Sequence, residues 1–341
     1  MRRVRNILLA FLAWSLLGPG SSAARKRPAP ARPTGPTKVA AGPGSQVRPS
    51  VCRLNNGTLL LTFEHIFTAH RRRVYVARKR PGFGWSWARV LAVPTKGDFT
   101  HRNASIVARG GAEVLVYVQA GDIRRRRAGI RLFGSTGDTL KFGYLGRIKL
   151  GASKAAWTEP HAVPLQAGGV LLTVTRRFAG ALDGCYLTRS AKGRRFAAPV
   201  RISEGERCRV VELGKRKLLL TYHLRKRRRD PMRTFYRISP DGGKSWGVAT
   251  PVAKIWNTHD VHAVVRPDQT VLFLYLHDTR SGSVIQSIGL PPADRVERRL
   301  TRPGSKRDIS PFGLVVDKQV QLFFARESRR MDFDVLSLRI R

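Results

Sequence analysis

Hydrophobic and polar positions along this chain fall into a phrase that returns six times: a short apolar strand, a polar turn, then a stronger apolar strand. The copies run Pro49–His65, Asn103–Gln119, Pro160–Arg176, Cys208–His223, Val261–His277 and Ser310–Arg326, at spacings of roughly 47–57 residues. The turns carry Gly, Asn, Asp or basic residues, as hairpins need. Third strands are predicted at Arg73–Ala77, Gly129–Phe133, Cys185–Thr188, Arg233–Ile238, Ser283–Ile288 and Asp334–Ile340. Fourth strands are predicted at Ala88–Val93, Gly143–Leu150, Ala198–Ile202, Val248–Val252 and Val296–Leu300. The sixth repeat runs out of chain after its third strand, and residues near Thr37–Ala40 are the candidates to complete it. The pattern predicts an all-β, six-bladed β-propeller, whose closure removes exposed sheet edges. A β-sandwich has similar strand content, but six evenly spaced copies argue against it.

The ends of the chain read differently. Met1–Ala23 has the form of a secretory signal, with Arg2, Arg3 and Arg5 before an apolar run at Ile7–Leu17 and small residues at Ser21-Ser22-Ala23. The run is short for a comfortable membrane span; an uncleaved anchor helix is the alternative, and membrane contact is expected only through this segment if it stays uncleaved. Ala24–Ser45 is rich in Pro, Gly, Ala and basic residues and lacks the large apolar side chains of a core; it reads as a linker. Gln46–Arg341 is the propeller. The expected location is secreted or periplasmic, and the expected state monomeric.

Three cysteines, Cys52, Cys185 and Cys208, leave at least one unpaired within the monomer. Cys52 and Cys208 lie in apolar strands, where cysteine packs as a small hydrophobe. A Cys185–Cys208 disulfide is the less favoured alternative. The spacing does not make a zinc site, and no metal or cofactor is expected. The net charge of +42 over 341 residues calls for anionic partners. For an exported chain these are acidic glycans or lipid phosphates before nucleic acid, for which no motif stands out.

A propeller gathers the starts of its first strands, and the ends of its second strands, around one axial mouth. Before or within the first-strand starts lie Arg48, Asp98, His101, Arg102, Glu159, His161, Glu206, Arg207, His259, Asp260, His262 and Asp308. After the second strands lie His65, Gln119, Arg176, His223, His277, Asp278 and Arg326. His259-Asp260-Val261-His262 is the sharpest local group. Strand alternation puts Asp260 and His262 on one side, where Asp260 would orient His262 as a general base or help hold a metal. A structural His–Asp pair is the alternative. The loops after the second strands are basic, at His70–Arg73, Arg124–Arg127, Arg176-Arg177, Arg225–Arg229 and Arg329-Arg330, and guanidinium groups match carboxylate, sulfate and phosphate.

One turn carries a specific motif. Ser239-Pro240-Asp241-Gly242-Gly243-Lys244-Ser245-Trp246 reads S-x-D-x-G-x-x-W. A short acid bonds nearby backbone N–H groups, glycine supplies positive φ, and tryptophan pins the turn to the sheet. Gly84–Trp87 and Gly193–Phe196 are degenerate echoes. The motif resembles the Asp-box of the sialidase, or BNR-repeat, superfamily, and with the six repeats the resemblance extends from about Gln46 to Arg341. It implies a structural role for Ser239, Asp241, Gly243 and Trp246, away from the ligand-binding face. It also implies an arginine triad, a Tyr–Glu nucleophile pair and an Asp acid/base. Val47-Arg48-Pro49-Ser50 resembles the motif of the first arginine, with one residue missing. Val210-Val211-Glu212-Leu213 resembles the strand that follows the catalytic Glu. Yet Arg207 stands at the Glu position with Glu206 beside it, and His223 stands where an arginine is expected. The loop after Phe63 offers Glu64, His65 and His70 instead of the Asp, and no tyrosine fits the nucleophile.

These observations predict a sialidase-like propeller that binds, and in one version cleaves, acidic glycans at an Arg/His-rich axial face. Catalysis would fall to His259, Asp260, His262 and Glu206. Binding would fall to Arg48, His101, Arg102, Glu159, His161, Arg207, His223, His277 and Arg326. The competing expectation is a non-catalytic polyanion-binding or cell-surface protein.

Overall fold

The computed structural model describes residues 35–40, 44–68, 71–91, 100–110, 112–121, 128–151, 155–178, 181–225, 230–290, 296–302, 307–329 and 332–340. They form six antiparallel four-stranded sheets. The first strands are Ser45–Arg53, His101–Arg109, Ala155–Pro164, Glu206–Gly214, Thr258–Val265 and Asp308–Val316. Each touches the first strand of the next sheet, and the sixth touches the first, so they close a ring. The molecule is a six-bladed propeller, as the repeats predict.

Five blades are continuous in sequence. In the sixth, Thr37–Ala40 pairs with Asp332–Ile340 and forms the outer strand, which ties the two ends of the propeller together. Outer strands elsewhere are short. Arg89–Val90, Thr250–Pro251 and Arg298–Arg299 pair over two residues each, less than the alternation suggests. Most of these residues are exposed, so little burial holds a longer pairing.

The core is divided among the blade interfaces. Val107, Leu115 and Tyr117 of blade two pack on Trp157, Val170 and Leu172 of blade three. Leu219 of blade four packs on Val261, Phe273 and Tyr275 of blade five, and Leu274 of blade five on Leu322 and Phe324 of blade six. Middle strands are therefore apolar on both faces, which explains the stronger second strand of each repeat.

The loops between third and fourth strands dock onto the preceding blade. Asp241 accepts hydrogen bonds from Lys244 N (3.0 Å), Ser245 N (2.9 Å) and the Ser239 hydroxyl (2.8 Å). The Ser245 hydroxyl and these other donors hold its carboxyl well below the usual range. Gly243 has φ 92°, and a Cβ there would lie 2.7 Å from Leu187 of blade three. Trp246 packs beside it in the same cluster. In the echo at blade three, Phe196 meets Tyr117 edge-on at 5.9 Å. At blade one the anchor is Trp85, edge-on to Phe323 at 6.1 Å, whereas Trp87 is 93% exposed.

Cys185 and Cys208 are joined in a disulfide, and Cys52 is free and buried, its thiol pushed up to about 12 by burial. This corrects the expectation that Cys208 is merely a small hydrophobe. The third strand of blade three and the first strand of blade four meet side by side, with the two Cα atoms 5.8 Å apart.

Candidate functional site

Every first strand breaks its pairing at the same place. The register shifts fall at Val47/Ser50, Arg102/Ser105, Thr158/His161, Glu206/Arg209, His259/His262 and Ile309/Phe312. At each bulge a non-glycine residue takes φ between 47° and 57°: Arg48, Asn103, Glu159, Arg207, Asp260 and Ser310. Left-handed backbone costs an L-residue roughly 1–2 kcal/mol. Six-fold repetition of that cost marks a feature of the architecture. All six residues line one pocket on the axis. They make an upper ring at the mouth face.

The upper ring is dense in paired charge. Arg207 is bound to Asp260 and lies 3.5 Å from Glu159 through Nε. Glu159 also accepts from Thr175 Oγ1 at 3.0 Å. Arg48 meets Glu64 at 3.2 Å, and Arg72 holds the other oxygen of Glu64 at 2.7 Å. Asn103 donates to Gln119 at 2.7 Å. Burial pushes the Asp260 carboxyl up, but Arg207, the rings of His259 and His223, and Arg209 pull it further down. It therefore stays well below the usual carboxylate range. The pocket is small, with a free volume of about 70 Å³. A small polar group enters this pocket, while anything larger rests above it.

Two residues further along each strand lies a lower ring: Ser50, Ser105, His161, Arg209, His262 and Phe312. Its polar members hold blades together. Ser50 Oγ accepts from Ile106 N (3.2 Å) and Ser105 Oγ from Ala162 N (2.9 Å). His161 Nδ1 accepts from Val210 N (3.4 Å) and His262 Nδ1 from Gly313 N (3.1 Å). Arg209 crosses the axis to the carbonyl of Pro311 at 3.2 Å.

These contacts correct the pairing of Asp260 with His262. Asp260 serves Arg207 of the neighbouring blade, and His262 lies in the lower ring with its ring centroid 4.2 Å from Phe312. The bulge between the two residues defeats simple alternation. Burial, with Arg209 nearby, lowers the His262 ring well below its usual pKa and takes His161 to about 3. Both rings are neutral acceptors with the proton on Nε2. His223 accepts from Val261 N at 3.4 Å and is likewise lowered by burial and by Arg207. His101 is buried, and burial plus Arg73 lower it to about 4.

The remaining candidates flank the pocket. His259 pairs with Asp278 at 2.8 Å. Glu206 is bound by Arg177. Arg326 grips Asp308 with two bonds, at 2.7 and 2.8 Å. Arg102 sits half-buried beside Gln119, and His277 opposite Thr258. Sequence reasoning missed Asn103 and Ser310 in the upper ring and Arg209 in the lower. The one signal for them is positional, since each stands at the same step of its repeat. His70, Asp98, Arg124–Arg127, Arg227–Arg229 and Arg330 lie outside the described residues. Among the described residues, no three His, Cys, Asp or Glu side chains converge as a metal site requires.

No protein-family model matches the chain, and no curated protein does. Solved structures do. The GH93 α-L-arabinofuranosidase of Fusarium graminearum, complexed with arabinobiose, superposes with a TM-score of 0.71 at 12% identity, over 91% of this chain and 98% of that one. A protein of unknown function from Dyadobacter fermentans gives 0.69 at 15%, over 91% and 99%. The sialidase of Trypanosoma rangeli with the inhibitor DANA gives 0.63 at 13%, over 87% of this chain and 55% of the sialidase. The fold is that of the sialidase-like propellers. At these identities the likeness extends to fold alone.

Proposed function

We propose that this protein is an exported glycan-binding propeller that holds a saccharide at its axial mouth without hydrolysing it. The upper ring carries the reading. One residue from every blade delivers a polar or charged side chain into one pocket, at a recurrent cost in backbone strain. Arg48, Asn103, Glu159, Arg207, Asp260 and Ser310 offer donors and acceptors side by side, which suits the hydroxyls of a sugar ring lying across the opening. The resemblance in fold to propellers solved with arabinobiose and DANA supports a carbohydrate ligand.

Hydrolysis is disfavoured by the same contacts. A glycosidase needs one carboxyl that delivers a proton and a second that acts as base or nucleophile. Glu64, Glu159, Asp260 and Asp308 all accept hydrogen bonds from guanidinium, backbone N–H or hydroxyl groups. Export rests on the leader-like Met1–Ala23 and on the Cys185–Cys208 bond, which persists in oxidising compartments.

A glycan array read at two salt concentrations, with product analysis of each retained glycan, tests the proposal. Retention without release of sugar is expected. Failure to retain any glycan would overturn the binding assignment, and release of sugar would overturn its non-hydrolytic part.

A further inference from the structure

A second cavity opens on the mouth face between blades four and five. It is lined by Leu224, Asp230, Pro231, Arg233, Phe235 and Trp256. Its volume of about 530 Å³ falls in the range of small-molecule sites, roughly 300–1,000 Å³, which the axial pocket does not reach. Arg233 opens the third strand of blade four. Trp256 sits in the connection to blade five, four residues before Asp260. At most about 14 Å of chain therefore separates Trp256 from the upper ring, within reach of a short oligosaccharide.

Arg233 differs from the arginines of the mouth. Arg48, Arg176, Arg207 and Arg326 each have a carboxylate partner. Among the described residues Arg233 has aromatic ones, with its guanidinium 4.0 Å from the Trp256 ring centroid and 5.8 Å from that of Phe235. A guanidinium stacked against an indole keeps its terminal N–H edge for an anionic acceptor. Trp256 remains 55% exposed, and Leu224, Pro231 and Phe235 complete an apolar wall suited to the C–H face of a sugar.

We propose that Arg233, Phe235 and Trp256 form a second subsite that takes a carboxylate-bearing sugar unit, with the carboxylate on Arg233 and the ring against Trp256. The proposal rests on the glycan-binding reading of the axial mouth and gives it a source of acid selectivity. In the mouth, Arg48, Arg207 and Arg326 already hold carboxylates. Among the described residues Arg233 has no such ion pair, although Asp230 lines the same cavity.

Calorimetric titration with a linear oligogalacturonate and its carboxyl-reduced, neutral counterpart tests this. The wild type should prefer the acidic form by about tenfold, the worth of one charge-assisted hydrogen bond. Arg233→Gln should bind both forms at the affinity of the neutral one. Arg233→Lys should keep part of the preference, and Trp256→Ala should weaken both. Melting curves of each variant report that the fold is kept. A wild type without preference, or an Arg233→Gln variant that retains it, overturns the subsite. Arg48→Gln separates the two claims, since it should weaken both ligands and leave their ratio unchanged. If it weakens neither while Arg233→Gln abolishes the preference, the subsite stands and the axial reading falls.

Discussion

The upper and lower rings come from the same six strands, two residues apart, yet they are built to different ends. Upper-ring residues sit in left-handed backbone and face their neighbours with mixed charge, as Arg207 does between Glu159 and Asp260. Four lower-ring residues, Ser50, Ser105, His161 and His262, accept the next blade's backbone N–H groups. A histidine on the axis is thus not a catalytic group by position alone. Where it stands relative to the bulge decides whether it faces ligand or backbone.

Acid should have the largest effect, through His161 and His262 of the lower ring and His101 and His223 beside the mouth. His101, His161, His223 and His262 all have ring pKa values depressed by burial. A depressed histidine binds fewer protons folded than unfolded, so stability is full above the unfolded pKa of about 6.5 and falls as pH drops below it. For His161 and His101 the loss runs at about 1.4 kcal/mol per pH unit, continuing to about pH 3 and about pH 4. Melting temperatures should therefore fall as pH drops from 6.5 to 4. Asp260, held below this window, contributes nothing to the loss. His262→Ser, the residue blades one and two use at this step, should give a shallower slope, and an unchanged slope would remove His262 from the account.

Reduction of the disulfide should come next. Cys208 lies between Arg207 of the upper ring and Arg209 of the lower, so Cys185–Cys208 anchors both. For a sequence separation of 23 residues the chain-entropy estimate is about 3 kcal/mol. Chemical denaturation with and without reductant measures it, and an unchanged midpoint would show that the bond is dispensable.

Much of the fold was legible because blade faces are encoded locally. Leu59–Leu61 and Val114–Val118 announce middle strands buried on both sides. The site was less legible. The bulge position carries Arg, Asn, Glu, Arg, Asp and Ser, which share no chemistry, so no motif flags it. His259-Asp260-Val261-His262 suggested a pair by alternation, but the bulge separates the residues and the partner of Asp260 comes from another blade. Cys208 resembled a packed hydrophobe because its partner lies across a blade interface. Arg233 and Trp256 meet through the same kind of long-range contact.

The smallest effect on binding should come from the face opposite the mouth. Asp241→Ala removes the acceptor of the Ser239–Trp246 turn and should lower the melting temperature while glycan affinity stays constant. A loss of affinity at an unchanged melting temperature would place that turn in the site.

The most direct measurement pairs one variant from each ring. Arg48 is one-third exposed, and Glu64 retains Arg72 when it is replaced. Arg48→Gln should therefore leave stability within about 0.5 kcal/mol and weaken the array-selected glycan about tenfold. His262→Ser should lose about 2–3 kcal/mol of stability, through the vacated space beside Phe312, and keep its affinity. The reverse pattern, with affinity lost at His262 and kept at Arg48, would contradict the division between a recognising ring and a holding ring.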